Sequence, residues 1–99
     1  MKIRSLPNLT RRRPRNFLEW RTLREWGRLP ERELAVSGYL LRVARESAGL
    51  TQAELAEKLG VSQQAVAQAE RWESNPTIAF IQRWSSACSC KLKMELGAA

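Results

Sequence analysis

The 99 residues carry 17 Lys and Arg against 10 acidic groups, a formal net charge of +7, with no His and two Cys. Every acid is Glu, so Ser-His-Asp and Cys-His nucleophile systems, His bases and His metal ligands are excluded, and four zinc ligands cannot be assembled. A chain of this length makes one small domain, and its balance points to a basic binding module that needs no cofactor rather than to an enzyme.

The charge is uneven. Residues 1–33 hold ten basic groups and four Glu, whereas the other 66 hold seven and six, so nearly the whole excess sits in the first third. Met1 to Asn16 contains Pro7, Pro14 and the cluster Arg11, Arg12, Arg13 and Arg15. Such a segment buries too little apolar surface to order itself and is expected to be a flexible basic arm. Arginine there gains affinity for phosphate by counterion release and suits a narrow minor groove. The plainer alternative is a solvated tail or a contact for a protein partner. The segment lacks the apolar stretch of a signal peptide. No run reaches the roughly 20 apolar residues of a membrane span, so a cytoplasmic location with no membrane partner is expected.

From Phe17 the composition changes. Phe17, Trp20, Leu23 and Trp26 recur every three residues with Arg and Glu between them, which predicts one apolar face of a short helix ending at Gly27. Leu29-Pro30 then turns the chain. Two Trp on such a helix serve either core packing or docking of a second protein.

Ser37 is the expected N-cap of a helix running to Ala48, with Tyr39, Leu40 or Leu41, Ala44 and Ala48 inward and Gly49 as its stop. Thr51 with Glu54 three residues on predicts a capping box opening the next helix, whose stripe is Leu55, Ala56 and Leu59. Gly60 closes it, Val61 fills the turn, and Ser62 caps a third helix beginning Gln63-Gln64. Two short helices joined by Gly60-Val61-Ser62 form a helix-turn-helix, whose second helix offers its first residues to base edges in the major groove. Gln63, Gln64 and Gln68 are the expected base contacts, since Gln bonds adenine at N6 and N7. Gln52 is placed to hold a phosphate or to brace the other glutamines.

The stretch Leu50-Thr51-Gln52-Ala53-Glu54-Leu55-Ala56-Glu57-Lys58-Leu59-Gly60-Val61-Ser62-Gln63-Gln64-Ala65-Val66 resembles the Cro/repressor-type, or XRE-family, helix-turn-helix. It is especially similar to DNA-binding domains of lambdoid phage repressors, over roughly residues 37–87. The resemblance implies a dimer that reads a palindromic operator in double-stranded DNA. By position it implies base contacts from Gln63, Gln64 and Gln68 and a phosphate contact from Gln52, to which Ser62 and Arg71 are added. It also implies a structural ion pair between Arg45 and Glu70. Two residues depart from the pattern: Ala69 stands where a larger apolar residue is usual, and Trp72 where a Gly commonly ends the recognition helix. Trp72 is expected to fill the volume left by Ala69 or to pack on the N-terminal helix.

After the loop Ser74-Asn75-Pro76-Thr77, the residues Ile78, Ile81, Trp84, Ser85 and Cys88 recur with helical period. Cys88 and Cys90 are too close in sequence for an easy disulfide and read as small apolar residues. From Cys90 the period becomes two, with Leu92, Met94 and Leu96 alternating with charge, which predicts a strand. A lone strand needs a partner. The same strand of a second subunit is preferred, with Lys2–Leu6 or Leu34–Val36 as the alternative within one chain. A repressor-like domain followed by such a strand also resembles HigA-type antitoxins.

The expected fold is therefore mostly α: a five-helix repressor-like helix-turn-helix domain with an N-terminal amphipathic helix and a C-terminal β-strand used for dimerisation. Its divisions are an arm over 1–16, helix and linker over 17–36, the DNA-binding domain over 37–88, and strand and tail over 89–99. The expected function is a sequence-specific DNA-binding transcriptional regulator, a dimeric repressor. The alternative is an antitoxin that binds a toxin protein and regulates its own operon.

Overall fold

The computed structural model describes residues 14–92. These contain six helices: α1 Phe17–Glu25, α2 Glu31–Leu34, α3 Ser37–Ser47, α4 Gln52–Leu59, α5 Gln63–Ala69 and α6 Ile78–Ala87. They fall into two compact units, one ending at Val36 and the other starting at Ser37.

In the first unit, Asn16 caps α1 by accepting the Glu19 N–H through Oδ1 at 2.9 Å. The Glu19 carboxylate reaches back to the Arg15 N–H and Nε at 3.0 and 3.1 Å, a reciprocal arrangement that satisfies donors a helix start leaves open. Arg15 is thereby tied to the helix. Phe17, Trp20 and Leu23 are buried, but Trp26 is 56% exposed. The reason is helical drift: each residue turns about 100°, so steps of three fall back about 60°. Three such steps carry Trp26 to the side opposite Phe17. Arg21 and Arg24 lie over the rings of Phe17 and Trp20 at 5.5 and 5.4 Å, covering aromatic faces with cationic ones. Pro30 opens the short α2, which the sequence reading leaves as a turn. The Trp20 indole N–H donates to the Glu33 carbonyl at 2.8 Å, supplying a partner that a helix this short lacks within itself.

In the second unit, α4 and α5 pack most extensively on each other, with α6 and α3 completing the core. Leu41, Leu55, Ala56, Leu59, Val66, Ala69, Trp84 and Cys88 form that core. Trp84 is fully buried, and its indole donates to the Leu41 carbonyl at 3.0 Å, so the largest core side chain also satisfies its one polar atom. Arg83 closes the end of α4 by donating to the Leu59 carbonyl. Two periodicity expectations are corrected. Ser37 is the first residue of α3 rather than its cap, and Ala48 lies past the helix end and is exposed. Ile78 is 52% exposed, because six residues rotate it about 120° from Trp84. Phe80 takes the inward place instead, edge-on to Trp84 at 5.8 Å.

Where the expected strand begins, the described residues close α6 instead. Ser89 adopts φ 56°, and the N–H groups of Ser89 and Cys90 return to the Ser86 and Ser85 carbonyls at 3.1 and 2.8 Å. This is the double bond of a Schellman close. The Cys90 N–H is thus committed to the helix, and a ladder needs a second chain segment that the described residues do not supply. Cys90 and Leu92 are irregular, no strand occurs among the described residues, and Met94 and Leu96 lie outside them. Ser89 is exposed and has a Cβ in a conformation that disfavours one. Ser89→Gly is therefore expected to raise stability by about 0.5–1 kcal/mol, seen as a thermal midpoint a few degrees higher.

Candidate nucleic-acid interface

Local chemistry positions α5. Thr51 Oγ1 accepts the Glu54 N–H at 3.0 Å while the Glu54 carboxylate accepts the Thr51 N–H at 2.8 Å, a complete capping box. Those hydrogen bonds hold the Glu54 carboxyl below its usual range. Gly60 has φ 70° and its turn closes through Val61 N–H to Ala56 O at 3.0 Å. That backbone lies in the left-handed region, which favours a residue without Cβ. Ser62 then caps α5 by accepting the Ala65 N–H at 3.0 Å. These bonds fix how α4 leads into α5, and the small Ala56 of α4 is buried in the core.

The far end of α5 is held from outside the helix. Arg45 on α3 donates through Nε and Nη2 to both carboxylate oxygens of Glu70, at 2.5 and 3.1 Å, and through Nη1 to the Leu50 carbonyl at 2.8 Å. The side chains are 10% and 4% exposed. The hydrogen bond to Glu70 raises the Arg45 pKa against the opposing effect of burial. One guanidinium thus joins α3, the α3–α4 connection and the last turn of α5. Gln52 Nε2 donates to Glu70 Oε1 at 3.1 Å, so this side chain braces the ion pair at the base of the interface. Beyond α5, Ser74 Oγ donates to the Ala69 carbonyl at 2.7 Å.

With both ends fixed, α5 presents one arc outward. Taking Gln64 as reference and about 100° per residue, Gln63, Ala67, Gln64 and Gln68 occupy a continuous arc, while Val66 and Ala69 point the other way and are buried, as is Glu70 at the helix end. Gln63, Gln64 and Gln68 are exposed. No ion pair or hydrogen bond engages their side chains among the described residues. The arc is uncharged. Ser62 is exposed but its hydroxyl is used in the cap. Arg71, just past the helix, keeps 65% of its side chain exposed beside Glu73 at 3.9 Å. A contact this long between exposed groups holds the guanidinium weakly. Arg11, Arg12 and Arg13 lie outside the described residues.

Two residues near the interface carry no signal in periodicity. Gly38 on α3 is buried where a Cβ would stand 1.9 Å from the Arg71 carbonyl oxygen, so α3 and the end of α5 meet backbone to backbone. Trp72 packs edge-on against Tyr39, with ring centroids 5.5 Å apart. This ring contact ties Trp72 to α3 of the same unit.

Such a face can make amide hydrogen bonds and apolar contacts; it has no group for acid–base or covalent chemistry. Among the described residues no three ligating side chains gather as a metal site, and no helix is long and apolar enough to cross a membrane. The helix-turn-helix family model HTH_3 matches residues 41–93, slightly more than half of the chain. No curated protein and no solved structure matches it significantly.

Proposed function

The chain belongs to the XRE/Cro-C1-type helix-turn-helix family and is a DNA-binding transcriptional regulator; on that premise we propose that it acts as a dimeric repressor of a palindromic operator. The observation carrying this reading is the exposed, unpartnered amide arc of α5, rigidly seated between the capped turn and the Arg45–Glu70 pair. Gln63, Gln64 and Gln68 face base edges, and Arg71 reaches a phosphate. Gln52 and Ser62 flank the same groove, Gln52 retaining a second amide N–H for a phosphate while bound to Glu70. Two copies about 34 Å apart fit successive major-groove faces of one side of the duplex. Repression follows from occupying promoter DNA. The test is selection of bound sequences from a random pool with the full chain, with sedimentation for oligomeric state. A two-fold symmetric consensus and a dimer are expected. Binding no tighter than to nonspecific competitor at physiological salt would overturn the reading.

In this reading the arm supplies general affinity, since residues beyond 33 carry a net charge of only +1. Replacing Arg11, Arg12 and Arg13 with Gln is expected to weaken binding to all sequences alike. Each lost phosphate contact should reduce the slope of log K against log salt by about 0.9; titrations at several salt concentrations measure this. Because Arg15 is engaged with Glu19, its replacement should change the slope less.

A second reading is an antitoxin. It is favoured by the first unit, where Leu18 and Trp26 are 61% and 56% exposed amid basic side chains, an apolar and cationic surface suited to a protein partner. Co-purification with the product of a neighbouring gene supports it, and isolation of the chain alone from its native host argues for the repressor reading only.

A further inference from the structure

We infer that the target read by α5 is a run of A·T base pairs, and that Ala67 contributes to this choice by receiving the 5-methyl group of a thymine. The inference rests on the operator reading above and adds the class of base pair recognised. The outward arc contains three primary amides and one methyl group, with no Arg, Lys or Glu. Guanine is ordinarily read by the paired donors of Arg or Lys, and cytosine by a carboxylate. Neither type is present on this arc. Gln matches the adjacent donor and acceptor of adenine, N6 and N7, while a small apolar side chain matches the thymine methyl.

The position of Ala67 follows from helix geometry. It lies one turn beyond Gln63 and three residues beyond Gln64, on the strip between them. Its side chain is half-buried whereas all three glutamines are exposed. The longer side chains therefore stand around a shallow methyl floor. Ala67 itself offers only a methyl group, so a thymine methyl resting on it loses water without burying a polar atom of that side chain. Uracil lacks this methyl.

The test uses the full chain and an operator obtained by selection from a random pool. The selected half-site is expected to hold adjacent A·T pairs. Each thymine in turn is then replaced by deoxyuridine, which changes nothing but the methyl group. At one thymine per half-site the replacement should weaken binding about fourfold, the effect of withholding one buried methyl from contact. Ala67→Gly should bind the normal operator correspondingly less well and be indifferent to uracil at that thymine. Because glycine also weakens a helix, Ala67→Ser serves as the second variant; it keeps the Cβ and adds a hydroxyl, and it too should lose discrimination between thymine and uracil. Circular dichroism at the assay temperature establishes that both variants are folded. A consensus with G·C pairs under the arc would overturn the inference, as would uracil tolerated at every thymine; both leave the operator reading standing. Absence of any consensus would overturn that reading and the inference with it.

Discussion

Glu70→Ala should destabilise the second unit by about 3–5 kcal/mol, because it strips a nearly buried guanidinium of both its hydrogen bonds to a carboxylate. Arg45 would keep the Leu50 carbonyl and a long contact to Glu46 at 3.9 Å, and only 10% of its side chain is exposed to water. A domain this small has about 5–15 kcal/mol in total, so the loss is a large share of its stability. Glu70→Gln should recover little, since its amide would turn a donor toward the guanidinium. Replacing both partners with Met and Leu should be far milder than either single loss, for no buried charge then remains. Gln52→Ala, which removes one neutral donor from a carboxylate that keeps two charged ones, should cost about 1 kcal/mol. Urea denaturation followed by far-ultraviolet circular dichroism measures all four. A Glu70→Ala midpoint equal to that of the parent would show that the pair is unimportant to the fold.

Gly38→Ala is the second large effect, and its sign runs against helix propensity. An exposed helical Gly replaced by Ala normally gains about 0.5–1 kcal/mol. Here the added Cβ would meet the Arg71 carbonyl oxygen at 1.9 Å, its carbon at 2.8 Å and Ser74 Oγ at 2.9 Å. The carbonyl cannot turn aside without disturbing its bond from the Ser74 N–H at 3.1 Å. Helix α3 must move, and overpacking of this kind typically costs about 1–3 kcal/mol or somewhat more. The same movement displaces the segment after α5, so DNA affinity should fall even where the variant is folded. Thermal unfolding and a binding titration check the two consequences. A variant as stable as the parent would contradict the close backbone approach.

What was legible in the residues themselves is mostly local. Thr51 and Glu54, Gly60 and Ser62 act within four residues of where they stand, so their roles are visible without a tertiary structure. The outward placement of Gln64 and Gln68 follows from a four-residue spacing against inward Val66 and Ala69. Longer-range features were not visible in this way. Arg45 and Glu70 are 25 residues apart, and only the family resemblance suggested joining them. The indole bonds of Trp20 and Trp84 depend on which carbonyl each ring meets. Gly38 reads as a weak helix residue until the Arg71 carbonyl is seen against it. The differences have equally specific causes: three-residue spacing drifts around a helix, which carries Trp26 away from Phe17, and alternation from Cys90 gives no sign that its N–H closes α6.

The most direct test of the account compares the sequences selected from a random pool by the parent chain and by Gln64→Ala. This exposed side chain touches neither the core nor the Arg45–Glu70 pair, so folding should be unchanged. A consensus altered at one base position in each half-site is expected, with about 1–3 kcal/mol of discrimination lost there and the remaining positions retained. An unaltered consensus with unaltered discrimination at every position would contradict it.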